Sequence, residues 1–337
     1  LADPKEAMKQ SLRDQEVWVT GGAGFIGTAL SLELVRLGAK VTVIDSLHPA
    51  CGGRRGHVRE LEGKVRWLHA DIAQAADWAS PLPPPQVVFN LASHISHTGS
   101  ERDPALDLQL NTHAQLIFLL FLQGLKNQPR VVYSSTRQVY GETTQPAEES
   151  APPQPPDWNG IHKLAAEHYH LLAHRRNSIE AVILRLPNVY GPRMPADLKG
   201  KGCFVGWLAR NAHLGDAIEL IGAGRSHRDL LYVADAVSAL LIAGTRLQAG
   251  RIWNVAGQVA TIREVAAELI RISGRGRIVD VHASPTEARV AMGSSTMNDT
   301  AFRKATGWSP KVPLSEGLEH TLSYLRSNPE VLEQDRP

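Results

Sequence analysis

Cysteine is nearly missing from this chain of 337 residues: only Cys51 and Cys203 occur, far apart in the sequence. Two such residues make no disulfide framework, and they suit a reducing compartment. A strong charge of either sign is also lacking. With 36 Lys and Arg against 34 Asp and Glu, the formal net charge is +2. That balance gives no electrostatic basis for nucleic acid or an acidic membrane as the main partner. The 14 histidines show no metal-ligand spacing, so no metal is expected. The longest apolar run near the middle, Leu116 to Leu122, falls far short of the roughly 20 residues a membrane span needs and reads as a buried helix face. No secretory leader stands out, and the expected location is the cytoplasm. No internal repeat is evident.

What is present suffices for a full core. The chain is 43% hydrophobic and 21% charged, long enough for one large or two unequal domains. Its most informative stretch is Val17-Trp18-Val19-Thr20-Gly21-Gly22-Ala23-Gly24-Phe25-Ile26-Gly27, an apolar run that breaks into spaced glycines before an amphipathic segment. This is the pattern of a dinucleotide-binding turn. Gly21 and Gly24 allow a tight turn and the approach of a pyrophosphate, and Gly27 lets the next helix pack close to the strand. The phosphates would sit on the free amides of that helix, beginning at Phe25 and Ile26. Thr28 to Leu37 reads as the helix, Gly38 as its cap, and Lys40 to Asp45 as a second strand ending in an acid. A carboxylate there accepts hydrogen bonds from the adenosine ribose, which favours NAD over its 2′-phosphorylated form.

Strand and helix patterns alternate through the first half. Strands are expected at Glu16 to Thr20, Val41 to Asp45, Val65 to His69, Gln86 to Asn90 and Arg130 to Ser134, with a long helix from about Pro104 to Lys126. Such alternation implies a parallel sheet covered by helices on both faces. A proline-rich loop leads to another helix starting near Asp157. After Ala181 to Leu186, short segments rich in glycine and proline take over. The expected fold class is therefore α/β, a doubly wound parallel (Rossmann) sheet with a smaller C-terminal substrate-binding domain. Residues 14–187 would form the NAD-binding part, with 232–256 returning to it. Residues 188–231 and 257–330 would form the substrate part.

Further motifs stand in order along the chain: Asp71-Ile72, Asn90-Leu91-Ala92-Ser93, Asn111, Ser134-Ser135-Thr136-Arg137-Gln138-Val139-Tyr140-Gly141, Lys163, Leu184 to Pro192 and Arg228 to Asp235. With the glycine loop and Asp45, they resemble the extended short-chain dehydrogenase/reductase family of nucleotide-sugar epimerases and dehydratases over nearly the whole chain. The resemblance implies that Asp71 and Ile72 flank the adenine and that Leu91, Ala92 and Asn111 belong to the cofactor site. It implies that Lys163 binds the nicotinamide ribose. Thr136, with Ser135 beside it, would meet the sugar hydroxyl being oxidised. Asn188, Arg228 and Arg289 would hold the nucleotide diphosphate, a role that suits guanidinium forks. Arg193, Lys199 and Lys201 are further candidates to face phosphate or a sugar carboxylate. Relatives commonly pair through the helices that correspond here to Pro104–Lys126 and Asp157–Arg175, which implies a homodimer.

One expected residue is absent. The family's catalytic tyrosine precedes the lysine by four residues, one helical turn, and that position holds Asn159. An amide does not titrate near neutral pH and cannot replace a phenolate as proton acceptor. Trp158 and His162 also depart from the family pattern, so Asn159-Gly160 reads as the mark of a subgroup. The candidates to take the proton are His94, His97, His162 and Lys163, with His94 preferred. His162 points about 100° around the helix from Lys163. The acids that dehydratases carry after the threonine are replaced by Arg137-Gln138. Epimerisation of a UDP- or dTDP-linked hexose or uronic acid with NAD retained is then the expected reaction. Net oxidation, dehydration, or binding of NAD and a sugar nucleotide without turnover are the alternatives.

Overall fold

The alternating apolar runs assemble into twelve strands in a computed structural model that describes residues 4–196, 204–282 and 293–333. They are β1 (Glu16–Thr20), β2 (Lys40–Asp45), β3 (Arg66–His69), β4 (Val87–Asn90), β5 (Arg130–Thr136), β6 (Glu180–Leu186), β7 (Asn188–Tyr190), β8 (Ala217–Ile221), β9 (His227–Tyr232), β10 (Arg251–Asn254), β11 (Gln258–Thr261) and β12 (Arg277–Val281). Seven form one parallel sheet in the order β10-β6-β5-β4-β1-β2-β3. The strand order reverses between β1 and β4, which run parallel, and this is the switch point at which α/β sheets open a crevice for ligands. Both faces of this sheet are covered, which is why Val17, Trp18 and Val19 are all buried.

The main helices are α1 (Pro4–Leu12), α2 (Phe25–Arg36), α3 (Arg55–Leu61), α4 (His97–Arg102), α5 (Pro104–Gln123), α6 (Trp158–Arg175), α7 (Phe204–Leu214), α8 (Val233–Thr245), α9 (Ile262–Ser273) and α10 (Leu314–Ser327). Leu30 and Leu34 of α2 and Leu240 and Leu241 of α8 share one core with Val19, Val43 and Val182 of the sheet. Phe118, Leu119 and Leu122 of α5 share another with Trp18, Val88 and Val131 on the opposite face. A third core joins Leu208 of α7, Ile218 of β8, Leu269 of α9 and Leu322 of α10. This lobe carries two small sheets, β11-β9-β7 and β12-β8.

The helix expected from Pro104 to Lys126 differs in two respects. It ends at Gln123, before Gly124, and the turn Gln109–His113 widens to π geometry. That turn buries Asn111, whose amide holds both backbone groups of His94; a wide turn of this kind often marks a functional site. The same helix is 20 residues long and, by length and composition, apolar enough to cross a membrane. The Leu116 to Leu122 run alone understates this. Within the protein Phe118, Leu119 and Leu122 face the sheet, while Leu120 remains 51% exposed.

Candidate active site

The glycine turn is shaped for a ligand to lie against it. Gly21 has φ +67°, and a Cβ there would stand 2.7 Å from the Leu91 carbonyl oxygen. A Cβ on Gly27 would stand 2.3 Å from the Gly21 carbonyl oxygen, so the glycine is what brings α2 onto the turn. Gly24 caps α2 without a side-chain hydrogen bond, leaving the helix N-terminus as a site for anionic oxygen. Asp45 accepts the Ala23 N–H at 3.0 Å and the Leu47 N–H at 2.8 Å. Burial, the largest influence, raises its pKa against those two bonds. The carboxylate is thereby fixed at the end of β2.

One cavity runs from this turn along the ends of β1, β2, β4 and β5. Gly21, Gly24, Phe25, Ile26, Gly27, Asp45, Asp71, Ile72, Leu91 and Ala92 line it, and so do Ser135, Thr136, Asn159, Lys163, His94 and His97. Residues scattered over 140 positions of sequence thus line one cavity. Asn111 is the exception among the cofactor candidates. It is fully buried behind the cavity, and its side chain bonds His94, Ser93 and Asp107 rather than opening onto the cavity. Cys51 also lines the cavity, but burial pushes its thiol up to about 12, so it stays protonated near neutral pH.

Lys163 sits at the core of the site. Its Nζ donates to the Ser134 carbonyl oxygen at 2.6 Å and lies 4.4 Å from the centre of the Tyr133 ring. Burial lowers its pKa to about 7, against the opposing charges of Glu167 and Asp107. Thr136 Oγ1 accepts the Gln138 N–H at 3.2 Å, which leaves the hydroxyl hydrogen to point elsewhere. Ser135 is engaged internally: its hydroxyl donates to Glu167 at 2.5 Å. Glu167 in turn holds Arg185 through two bonds of 2.9 and 2.6 Å in full burial.

Asn159 does no acid–base work in this arrangement. Its Nδ2 donates to the His94 carbonyl oxygen at 2.8 Å and to Asp107 Oδ1 at 3.1 Å. Asp107 is the hub of the region. His94 Nδ1 meets one of its oxygens and His162 Nδ1 the other, both at 2.6 Å, and Asn111 donates at 3.0 Å. Burial would raise the Asp107 pKa, but these hydrogen bonds together hold it below the usual carboxylate value. An ionised carboxylate only accepts, so both histidines carry hydrogen on Nδ1. His94 is 3% exposed, and a Cβ on Gly99 would stand 2.9 Å from its Nε2, so that edge faces the backbone of α4.

His97 differs from its neighbours. Its side chain is 42% exposed, and Nδ1 lies 2.8 Å from Asp157 Oδ2. Asp157 caps α6 by accepting the Gly160 N–H at 2.8 Å, and it accepts Gln138 Nε2 at 2.8 Å as well. Burial raises its pKa less than His97, Gly160 and Gln138 together lower it.

The diphosphate candidates lie in the second lobe, outside the lining of this cavity. Asn188 pairs with Leu230 across β7 and β9, which puts it on the same face as Arg228 two residues earlier. Asn188 accepts from Arg137 at 3.3 Å and donates to the Asp229 carbonyl oxygen at 3.0 Å. Arg228 donates to the Gly293 carbonyl oxygen at 2.6 Å, and burial pulls its pKa below the ordinary guanidinium value, with Glu142 opposing. Arg193 is taken by Glu60 through bonds of 2.8 and 2.5 Å, which removes it from the phosphate candidates. Arg289, Lys199 and Lys201 lie outside the described residues.

Sequence reading missed Asp107, Asp157 and Glu167 as site carboxylates. Asp107 precedes Asn111 by four residues on one helix, and Asp157 stands where α6 was expected to start, so weak signals existed for both.

A parallel sheet with a glycine cradle at its switch point, an acid at the end of β2 and a lysine in the same cavity as Thr136 defines a dinucleotide-binding enzyme. The chain belongs to the NAD dependent epimerase/dehydratase family, whose model matches residues 17–256. A UDP-glucose 4-epimerase of Mycolicibacterium smegmatis is 29% identical over 316 residues, covering 92% of this chain and 98% of that protein. The crystal structure of a Thermotoga maritima UDP-glucose 4-epimerase with UDP-glucose superposes with a TM-score of 0.83 at 30% identity, over 93% of this chain and 99% of that one. A UDP-glucuronic acid 4-epimerase from Bacillus cereus, in complex with UDP-glucuronic acid and NAD, gives 0.83 at 26% identity with the same coverage. NAD is the family's cofactor, and the cradle, the uncapped helix and Asp45 fit it.

Proposed function

We propose that this protein epimerises a nucleotide-linked sugar, a UDP- or dTDP-hexose or uronic acid, with NAD held throughout. Held against the glycine turn, NAD would supply the acceptor for a hydride from a sugar carbon and the donor that returns it to the opposite face. The observation that carries the reading is the composition of the cavity. The glycine cradle, Lys163 and Thr136 line it together, whereas Arg137 and Gln138 are turned to Asn188 and Asp157. No acid therefore follows Thr136 to expel a hydroxyl, as dehydration requires.

In this reading Gly21, Gly24 and Gly27 cradle the pyrophosphate, Asp45 takes the adenosine ribose, Asp71 and Ile72 flank the adenine, and Lys163 binds the nicotinamide ribose. Thr136 donates to the reacting sugar oxygen. The lobe formed by residues 188–231 and 257–330 takes the nucleotide. Asn188 and Arg228, with Arg289 as a third candidate, bind its diphosphate, which would offset the cost of burying the Arg228 charge. The cytoplasmic location expected from the two cysteines goes with this reading.

The proposal includes a homodimer. Leu108 and Leu120 on α5 and Trp158, Ile161 and Leu172 on α6 are between 36% and 51% exposed. Trp158, Ile161 and Leu172 fall on one stripe of α6, and two adjacent apolar helices per subunit are what a symmetric four-helix contact needs.

The test is incubation of the NAD-loaded protein with a panel of UDP- and dTDP-sugars in deuterated water, followed by NMR. An inverted carbon without solvent deuterium is expected. Accumulation of reduced nicotinamide with a keto sugar would make the protein an oxidoreductase. Tight binding with no turnover on any sugar would make it a binding protein.

A further inference from the structure

We infer that His97, oriented by Asp157, is the acid–base group that takes and returns the sugar's hydroxyl proton; this rests on the epimerase reading of the cavity. Four titratable side chains stand near the site where a phenol is missing, and the structure separates them. His162 has Nδ1 on Asp107 and is absent from the residues that line the cavity. His94 lines the cavity, but it is 3% exposed, with one ring edge on Asp107 and the other against Gly99. Lys163 is committed to the Ser134 carbonyl oxygen, beside the position of the ribose. His97 alone of the three histidines combines a place in the cavity lining with an exposed side chain.

Its surroundings are those of a general base. With Asp157 accepting the Nδ1–H, the neutral ring has its lone pair on Nε2, and Nε2 has no hydrogen-bond partner among the described residues. Asp157 is itself held from two sides, by the Gly160 N–H at the start of α6 and by Gln138 in the turn after Thr136. The carboxylate thus ties His97 to the two elements that present Lys163 and Thr136. Asp157 is a positioning residue, and it stabilises the imidazolium when that forms.

In the forward half-reaction the O–H bond of the sugar breaks, its proton goes to Nε2 of His97, and the C–O bond becomes a carbonyl as the carbon's hydride departs to NAD. In the return the Nε2–H bond breaks and the proton goes back to the same oxygen as the hydride returns. The balance closes without a further reactant. Asp157 from α6 bonds His97, and Lys163, His94, Asp45, Asp71 and Cys51 are the other titratable groups that line the same cavity.

The experiment compares His97→Gln, His97→Ala and Asp157→Asn with the unaltered protein, on whichever sugar nucleotide it turns over. His97→Gln is expected to lower kcat by about 10²–10⁴-fold, with KM and bound NAD changed less than twofold. Free imidazole should restore part of the rate to His97→Ala in a saturable way, which a merely structural histidine would not allow. In ¹⁵N-labelled protein the His97 ring should show the Nδ1–H neutral form, lose it in Asp157→Asn, and shift at Nε2 when the sugar nucleotide is added. Turnover in His97→Gln within threefold of the original overturns the inference and leaves the epimerase reading standing. Loss of bound NAD together with loss of rate, without imidazole rescue, also overturns it, because His97 would then be structural. Absence of turnover in the unaltered protein overturns the epimerase reading, and the inference falls with it.

Discussion

A buried ammonium is easier to deprotonate than a solvated one, and Lys163 carries that cost in the protein without its cofactor. Burial takes its pKa from 10.5 to about 7. The unfolded chain binds this proton up to about pH 10.5, and the folded chain only up to about pH 7. Between those values unfolding takes up a proton, so this residue makes stability rise with pH across that window. Lys163→Met should therefore stabilise the cofactor-free protein by roughly 1–2 kcal/mol near pH 6.5 and by less at pH 9. It should also weaken NAD binding at least tenfold, on the order of 1.4 kcal/mol. Thermal unfolding at the two pH values with an NAD titration checks both. A gain that is no larger at pH 6.5 than at pH 9 would show that the charge is not the cost. Asp45 was legible in the sequence as the acid that ends a strand, and Lys163 through the family resemblance. The bond from the Ser135 hydroxyl to Glu167, 32 residues away, was not, because no local pattern joins the two.

At the scale of elements, the contact between α2 and the glycine turn is the most demanding. Any side chain at position 27 meets the Gly21 carbonyl oxygen and the Gly22 Cα, backbone atoms that cannot rotate aside. Gly27→Ala should cost about 1–3 kcal/mol through overpacking, and it should reduce NAD affinity more than it reduces stability, because the helix N-terminus is displaced from the phosphates. Urea unfolding alongside calorimetric NAD binding separates the two effects; full affinity in a destabilised protein would argue against the cradle. The strands β1 to β6 run close to where alternation put them, since that signal lies within a few residues. The helix α5 was legible only in outline. Its π turn carries Asn111, which bonds the His94 backbone 17 residues away, and no local periodicity encodes that contact.

For the whole molecule, the exposed apolar stripe on α5 and α6 predicts assembly. Light scattering should find twice the 36.7 kDa chain mass. The pair Leu120→Glu and Ile161→Glu should give a folded monomer with unchanged far-ultraviolet circular dichroism. A monomeric original protein would remove the dimer while leaving the site intact, because the cavity is lined within one chain.

Sequence alone determined that this chain forms a doubly wound sheet, that its first turn has the glycine spacing of a dinucleotide cradle, that Asp45 ends the second strand and that position 159 lacks a phenol. These follow from turn geometry, period-two and helical repeats, and residue chemistry, all of which act over short stretches of chain. Which histidine lines the cavity with an exposed side chain was decided only by the tertiary structure. His94 and His97 are three residues apart, and both have the same intrinsic chemistry. Folding buries one against Asp107, 13 residues on, and aligns the other on Asp157, 60 residues on. Burial and hydrogen-bond direction are properties of packed elements, and a carboxylate selects its imidazole only after the chain has brought them together.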